Sequence, residues 1–343
     1  MNREITMRLG MVLFGCCWLG FALPAGSAAT LKIGMVSDTA SFNDAGFNQS
    51  CKDGLQRAMR DFKVEGCFRE SHSRGDYQTN LDDLVKSGCG LIIGVGALMQ
   101  SDMAAVAEKN PDVSFVLIDG NFYPPRSNVQ SLLFNVDEAA FQAGFLAAAW
   151  ADLKNPSGAK VGYVGGVKIG SVEQFIVPYQ AGVAFFNRKY GKKVRVQGDY
   201  AGTFEDPGKG RAMGEALLAD GVTVIFAAAG RTGVGTLAAV KERGGWGIGV
   251  DADQYYTLPD VKDCLLTSCL KKMDTAVFAL VQEVLTGRFR GGGVMTGTLA
   301  NGQVGLAPYH GFDKQIPARI KEDLADIQQA IKDNRVVTGW SPD

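Results

Sequence analysis

Histidine is nearly absent, with only His72 and His310 among 343 residues. That scarcity removes most chemistry that needs an imidazole near neutral pH, and the cysteines follow no zinc-binding spacing. An excess of charge of one sign is missing too. Lys and Arg number 35 against 36 Asp and Glu, a formal net charge of −1, so nothing points to nucleic acid or anionic lipid as the main partner. No Gly-x-Ser-x-Gly nucleophile turn occurs. The run GRTGVG at 230–235 lacks the Lys-Ser/Thr ending of a phosphate-cradling loop. Beyond the N-terminus no apolar run approaches the roughly 20 residues that a membrane-spanning helix needs. No short internal repeat and no low-complexity linker interrupts the chain.

What is present is a globular balance, 46% hydrophobic and 21% charged. At roughly 100–200 residues per domain, the length suggests two domains, each large enough to bury a core. The first 29 residues differ from the rest. Arg3 and Arg8 precede an apolar run from Leu9 to Leu23 and a small-residue stretch ending at Ala29, the pattern of a secretory signal peptide. Cys16 also ends a degenerate lipoprotein-like site. The chain after it stays apolar, which favours cleavage after Ala29 and a periplasmic or otherwise extracytoplasmic protein without a lipid anchor. Five cysteines then remain: Cys51, Cys67, Cys89, Cys264 and Cys269. An oxidising compartment permits disulfides, the odd count leaves at least one thiol over, and buried apolar thiols are the simpler expectation.

The remainder alternates strand-like and helix-like segments. Apolar runs at 31–37, 91–95, 114–118, 160–164, 193–198, 222–227, 246–250 and 265–270 read as strands. Segments with helical periodicity fall at 45–62, 101–109, 137–153, 171–190, 207–219, 234–243, 274–285 and 317–332. Pro178 lies inside one of them, and Asp206 could cap another. Nearly continuous apolar strands alternating with helices predict parallel sheets covered on both faces. The break near 119–137 divides the pattern into two open sheets. Ligands of such sheets bind beyond the carboxyl ends of the strands, where Asp38, Asp119, Phe226 with Gly230, and Asp251 fall.

Five ordered segments carry a family resemblance: GMVSDTASFNDAGFNQSCKDGL (34–55), GYVGGVKIGSVEQFIVPYQAGVAFFN (162–187), GTFEDPGKG (202–210), IGVDADQ (248–254) and LLTSCLKKMD (265–274). Together they resemble the basic membrane protein family, also called the purine nucleoside receptor A family, over nearly the whole chain after residue 30. The resemblance implies an α/β type I periplasmic-binding fold, two doubly wound parallel-sheet lobes joined by three hinge crossovers. Lobe 1 is expected at 30–136 plus about 265–300, and lobe 2 at 137–264 plus about 301–343. It implies a monomeric solute-binding protein without cofactor, catalytic residue or metal, which delivers a nucleoside, purine above all, to an ABC permease and its ATPase. Asp38 and Asn43 would then give polar contacts, Phe47 would stack on the base, and Asp119 would face the cleft. Phe204 and Phe226 would be aromatic walls of the other lobe, Gly230 would let backbone amides approach the ligand, and Asp251 and Lys271 would meet the ribose hydroxyls.

Each assignment has a plainer counterpart. Phe47, Phe204 and Phe226 also fit core positions, Asp119 and Asp251 also fit turn positions after strands, and Lys271-Lys272 also fits a solvated pair. Where the family commonly has a Gly-Gly-Thr-Gly turn, this chain has Gly230-Arg231-Thr232-Gly233. Arg231 therefore points to solvent, pairs with a cleft carboxylate, or shifts ligand choice towards an anion. Competing functions are a binding protein for a nucleobase or riboflavin-like ligand, a nucleoside hydrolase using Asp38, Asp119 or Asp251, and a cytosolic ligand-sensing regulator of similar fold.

Overall fold

The computed structural model describes residues 30–341. The expected signal peptide and the lipoprotein-like site at Cys16 lie outside the described residues. Among the described residues twelve strands form two six-stranded sheets. The first contains β1 (Lys32–Val36), β2 (Glu65–Arg69), β3 (Leu91–Val95), β4 (Ser114–Ile118), β5 (Val129–Phe134) and β11 (Val294–Gly297), in the order β11-β5-β4-β3-β1-β2. The second contains β6 (Lys160–Gly165), β7 (Arg195–Tyr200), β8 (Val224–Ala228), β9 (Trp246–Asp251), β10 (Leu265–Lys271) and β12 (Val304–Leu306), in the order β12-β10-β9-β8-β6-β7. All pairings are parallel except β10 with β12. Helices cover the sheets: α1 (Phe47–Phe62), α2 (Asp76–Lys86), α3 (Gln100–Lys109), α4 (Asp137–Lys154), α5 (Gly170–Tyr190), α6 (Pro207–Ala219), α7 (Gly230–Glu242), the single turn α8 (Gln254–Thr257), α9 (Met273–Leu285) and α10 (Ala318–Lys332).

The central strands are buried along their length because helices lie on both faces, which is why they read as unbroken apolar runs. Where α4 crosses α5 the chains nearly touch. A Cβ on Gly144 would lie 1.9 Å from the Tyr179 carbonyl oxygen, and one on Gly182 would lie 2.0 Å from that of Phe141. Pro178 is accommodated within α5, and the Asp206 side chain accepts from the Lys209 amide at 2.9 Å, capping α6 as its position suggested.

The chain crosses between lobes three times: between β5 and α4, between β10 and α9, and between β11 and β12. This corrects one expected boundary. Residues 265–271 do not join lobe 1, because β10 pairs in register with β9 of the second sheet. The crossover comes after Lys271, and lobe 1 receives only α9, which packs on α1, and β11. Strands β2, β5, β11 and β12 and helix α2 add to the elements read from the sequence.

Candidate functional site

A cavity lies between the carboxyl ends of the two sheets, with about 620 Å³ of atom-free space including its mouth. From lobe 1 it is lined by Asp38, Asp44, Phe47, Gly96 and Asp119, and from lobe 2 by Phe175, Phe204, Gly230, Asp251 and Lys271. Seven of the nine residues singled out in the sequence thus border one space.

The lobe 1 wall begins where β1 ends. The Asp38 Oδ1 atom accepts from the Ala40 amide at 2.9 Å and from Asn48 Nδ2 at 2.7 Å. Asn48 also donates to Asp44 Oδ2 at 3.0 Å, and its own Oδ1 accepts from the Asp38 amide at 3.1 Å. Asp44 in turn accepts from the amides of Gly46, Asn48 and Gln49 at 3.0, 2.9 and 3.1 Å. The Asn48 and Gln49 amides are two of the free N–H groups at the start of α1, and these bonds fix the helix whose first residue is Phe47. Gly96, in the left-handed region at φ 110°, lets the chain after β3 pass close by. A Cβ there would lie 3.4 Å from the Asp38 Cβ and 3.7 Å from the Phe47 ring edge.

Asp119, the residue after β4, and Asp251, the last of β9, lie in left-handed backbone, at φ 64° and 69°. Aspartate tolerates that region better than most residues, so the turn and the placement of the carboxyl at the cavity come from one conformation. Lys271, 2% exposed, ends β10 and donates its ammonium to Asp119 Oδ2, an ion pair between the lobes. The same ammonium sits 4.7 Å from the centre of the Phe47 ring and 5.3 Å from that of Phe134.

Asp251 is 8% exposed, and no protein hydrogen bond reaches its carboxylate among the described residues. Its Oδ2 would lie 3.3 Å from a Cβ on Gly46 of the facing lobe. Burial pushes its carboxyl up to about 7, with Lys271 drawing it back down. Burial likewise pushes Asp38 up to about 7 against the lowering effect of the Ala40 amide, and raises Asp44. A second interlobe contact lies beside the cavity. The Ala45 carbonyl accepts from Thr257 Oγ1 at 2.7 Å and from Gln254 Nε2 at 3.4 Å, both on α8.

Two expected residues are elsewhere. Phe226 is wholly buried and stacks on Tyr179 at 5.0 Å, because its side chain leaves the sheet towards α5 rather than towards the strand end. Asn43 is exposed and off the cavity wall. Arg231 is exposed too, which leaves solvent as its place among the three options. The five described cysteines are free thiols, four buried and Cys67 half-buried. The sequence reading did not single out Phe175 or Asp44. Phe175 lies one turn into α5, within the segment 162–187 already noted, and a helix beginning just past a strand end aims its first turn at the cleft. Among the described residues no helix is long and apolar enough to cross a membrane.

Residues 31–337 match the family described as ABC transporter substrate-binding protein PnrA-like, Bmp. Among relatives, the ABC transporter nucleoside-binding protein BmpA of Lactococcus lactis subsp. cremoris is 31% identical, over 95% of this chain and 94% of its own. The CD4+ T-cell-stimulating antigen of Listeria innocua is 32% identical over 86% of this chain and 85% of its own. A solved ABC transporter solute-binding protein from Aeropyrum pernix K1 superposes with a TM-score of 0.83 at 29% identity, covering 90% of this chain and 92% of its own. A transcriptional activator from Bacillus halodurans shares the fold alone, with a TM-score of 0.68 at 22% identity over 88% of this chain and 98% of its own. With its two parallel-sheet lobes and the cavity between them, the chain belongs to the Bmp family of PnrA-like ABC transporter substrate-binding proteins, an extracytoplasmic family that works with a permease and an ATPase.

Proposed function

We propose that the protein binds a nucleoside, preferentially a purine nucleoside, in the interlobe cavity and hands it to its importer. The observation that carries this reading is Asp251, a buried carboxylate without a protein donor in a cavity that also holds aromatic rings from both lobes. A ribose diol supplies two adjacent donors, and a charged acceptor holds them more strongly than a neutral one. Phe47 from lobe 1 and Phe175 and Phe204 from lobe 2 offer flat apolar surface to a base, at about 1–3 kcal/mol per stack. Four aspartates against one lysine disfavour a phosphate, so a nucleoside suits the cavity better than a nucleotide. The name of the Lactococcus lactis relative agrees with this ligand class. Ligand touching both lobes shifts the population towards the closed form, the form an importer would read.

Export with cleavage after Ala29 belongs to the same proposal, and N-terminal sequencing of the exported protein should begin at Thr30. Calorimetric titration with adenosine, inosine, guanosine, uridine, adenine, ribose and riboflavin tests the ligand. Purine nucleosides should bind tightest. Tighter binding of adenine or riboflavin would overturn the reading, and release of free base in proportion to protein would replace binding with hydrolysis.

A further inference from the structure

A second hollow, with about 910 Å³ of atom-free space and open at its mouth, shares Asp119 and Ser171 with the ligand cavity. Its walls come from the first crossover (Asn135 and Asp137), from α5 (Gln174) and from the C-terminal tail (Trp340). The tail is anchored where it reaches this wall. Thr338, 7% exposed, donates its hydroxyl to Asp137 Oδ2 at 2.6 Å, and Asp137 Oδ1 accepts from Gln174 Nε2 at 3.1 Å. Trp340 follows two residues later and lines the hollow. Trp150 and Trp246 pack on each other at 5.7 Å and line neither space, so among the described residues Trp340 is the indole beside the ligand compartment.

The chemistry of this hollow is one-sided. Its described lining carries Asp119 and Asp137 but no Lys or Arg, and the nearby Lys271 ammonium is already bonded to Asp119. The hydroxyl of Ser171 and the amide oxygens of Asn135 and Gln174 remain for a ligand, as no hydrogen bond to these atoms is formed among the described residues. A phosphate entering here would meet like charge, whereas an amine or hydroxyl would meet acceptors.

We infer that this hollow is a second compartment of the binding site, walled by Trp340, which takes an amino or hydroxyl extension at the sugar end of a nucleoside and refuses a phosphate. The inference rests on the nucleoside reading, which sets the sugar beside Asp251, Lys271 and Asp119.

The test titrates the whole exported chain with adenosine, 5′-O-(2-aminoethyl)adenosine, whose amine reaches beyond the sugar, and adenosine 5′-monophosphate, by calorimetry and by tryptophan fluorescence. The amino compound should bind at least as tightly as adenosine and change the indole emission, with the monophosphate weaker by about 100-fold, as expected for an uncompensated like charge. Trp340→Ala should weaken the amino compound by about tenfold and leave adenosine within about twofold. Thr338→Val, which frees the tail without altering the indole, should give the same pattern in weaker form. Equal rejection of the amino compound and the monophosphate, beside tight adenosine binding, overturns the second compartment alone. Equal losses for adenosine and the amino compound in Trp340→Ala do the same. Failure of adenosine itself to bind removes the nucleoside reading and this inference with it.

Discussion

The two lobes share one architecture, yet they furnish the cavity differently. Lobe 1 contributes carboxylates whose oxygens are largely occupied. Asp44 is held by three amides and Asn48, Asp38 by the Ala40 amide and the same asparagine, and Asp119 by Lys271. Lobe 2 contributes the larger apolar wall, Ile169, Val172, Phe175 and Phe204, together with the one carboxylate left without a donor, Asp251. Occupied carboxylates shape a wall, and the proposed function gives the unoccupied one to the ligand. On that proposal the contrast separates residues that build the site from those that read the ligand, although both kinds are buried aspartates.

The largest expected effect comes from breaking the pair that joins the lobes. Lys271→Met should cost about 3–5 kcal/mol of stability by urea unfolding, because Asp119 would stay buried without its partner. Adding Asp119→Asn should return part of that loss. A loss no larger than that of an exposed lysine would mean the lobes do not depend on the pair.

The next effect is on pH. With Asp38 and Asp251 raised to about 7, the native protein holds protons that the unfolded chain has released. Without ligand, the contribution of these two groups to stability is therefore fullest near pH 4 and falls as pH rises towards 7. Thermal unfolding at pH 5 and pH 7.5 should show the decline, and Asp251→Asn should flatten it. A rise instead of a fall would mean that both carboxylates stay ionised in the folded protein.

Binding variants come third. Asp251→Ala should weaken nucleoside affinity by about 1–3 kcal/mol with the fold intact. Phe47→Ala should weaken base-bearing ligands by about 1–3 kcal/mol and scarcely touch free ribose, and equal losses would end its stacking role. The smallest effect belongs to Arg231→Ala. Exposed and off the cavity wall, it should shift affinity by less than about 0.5 kcal/mol, as surface substitutions usually do. A tenfold change in calorimetry would bring Arg231 back to the ligand.

Much of the site was legible because parallel sheets announce their carboxyl ends. An apolar run closing on aspartate marked Asp119 and Asp251 before any geometry was known. Phe226 misled for the opposite reason. It sits near such an end, yet strand alternation turns its side chain into the helix layer, and sequence alone does not say which face a fully buried strand gives to the ligand. Strand β10 was legible as a strand but not as a member of a particular sheet, since its pattern is equally apolar in either lobe. Strand β2, reading Glu-Gly-Cys-Phe-Arg at 65–69, escaped notice because an edge strand with half-exposed residues has no apolar run. Asp44 reads as an ordinary turn residue, and only the backbone amides converging on it show that it holds α1 in place.

The two hydrogen bonds to the Ala45 carbonyl have a mechanical consequence. Ala45 lies two residues before Phe47, on the short rigid lead-in to α1, so the bolt between the lobes and the ring at the cavity share a single piece of chain. Swinging the lobes apart must draw that ring away in the same stroke. The closed arrangement thus ties aromatic cover of the cavity and contact between the lobes to the same three residues of chain.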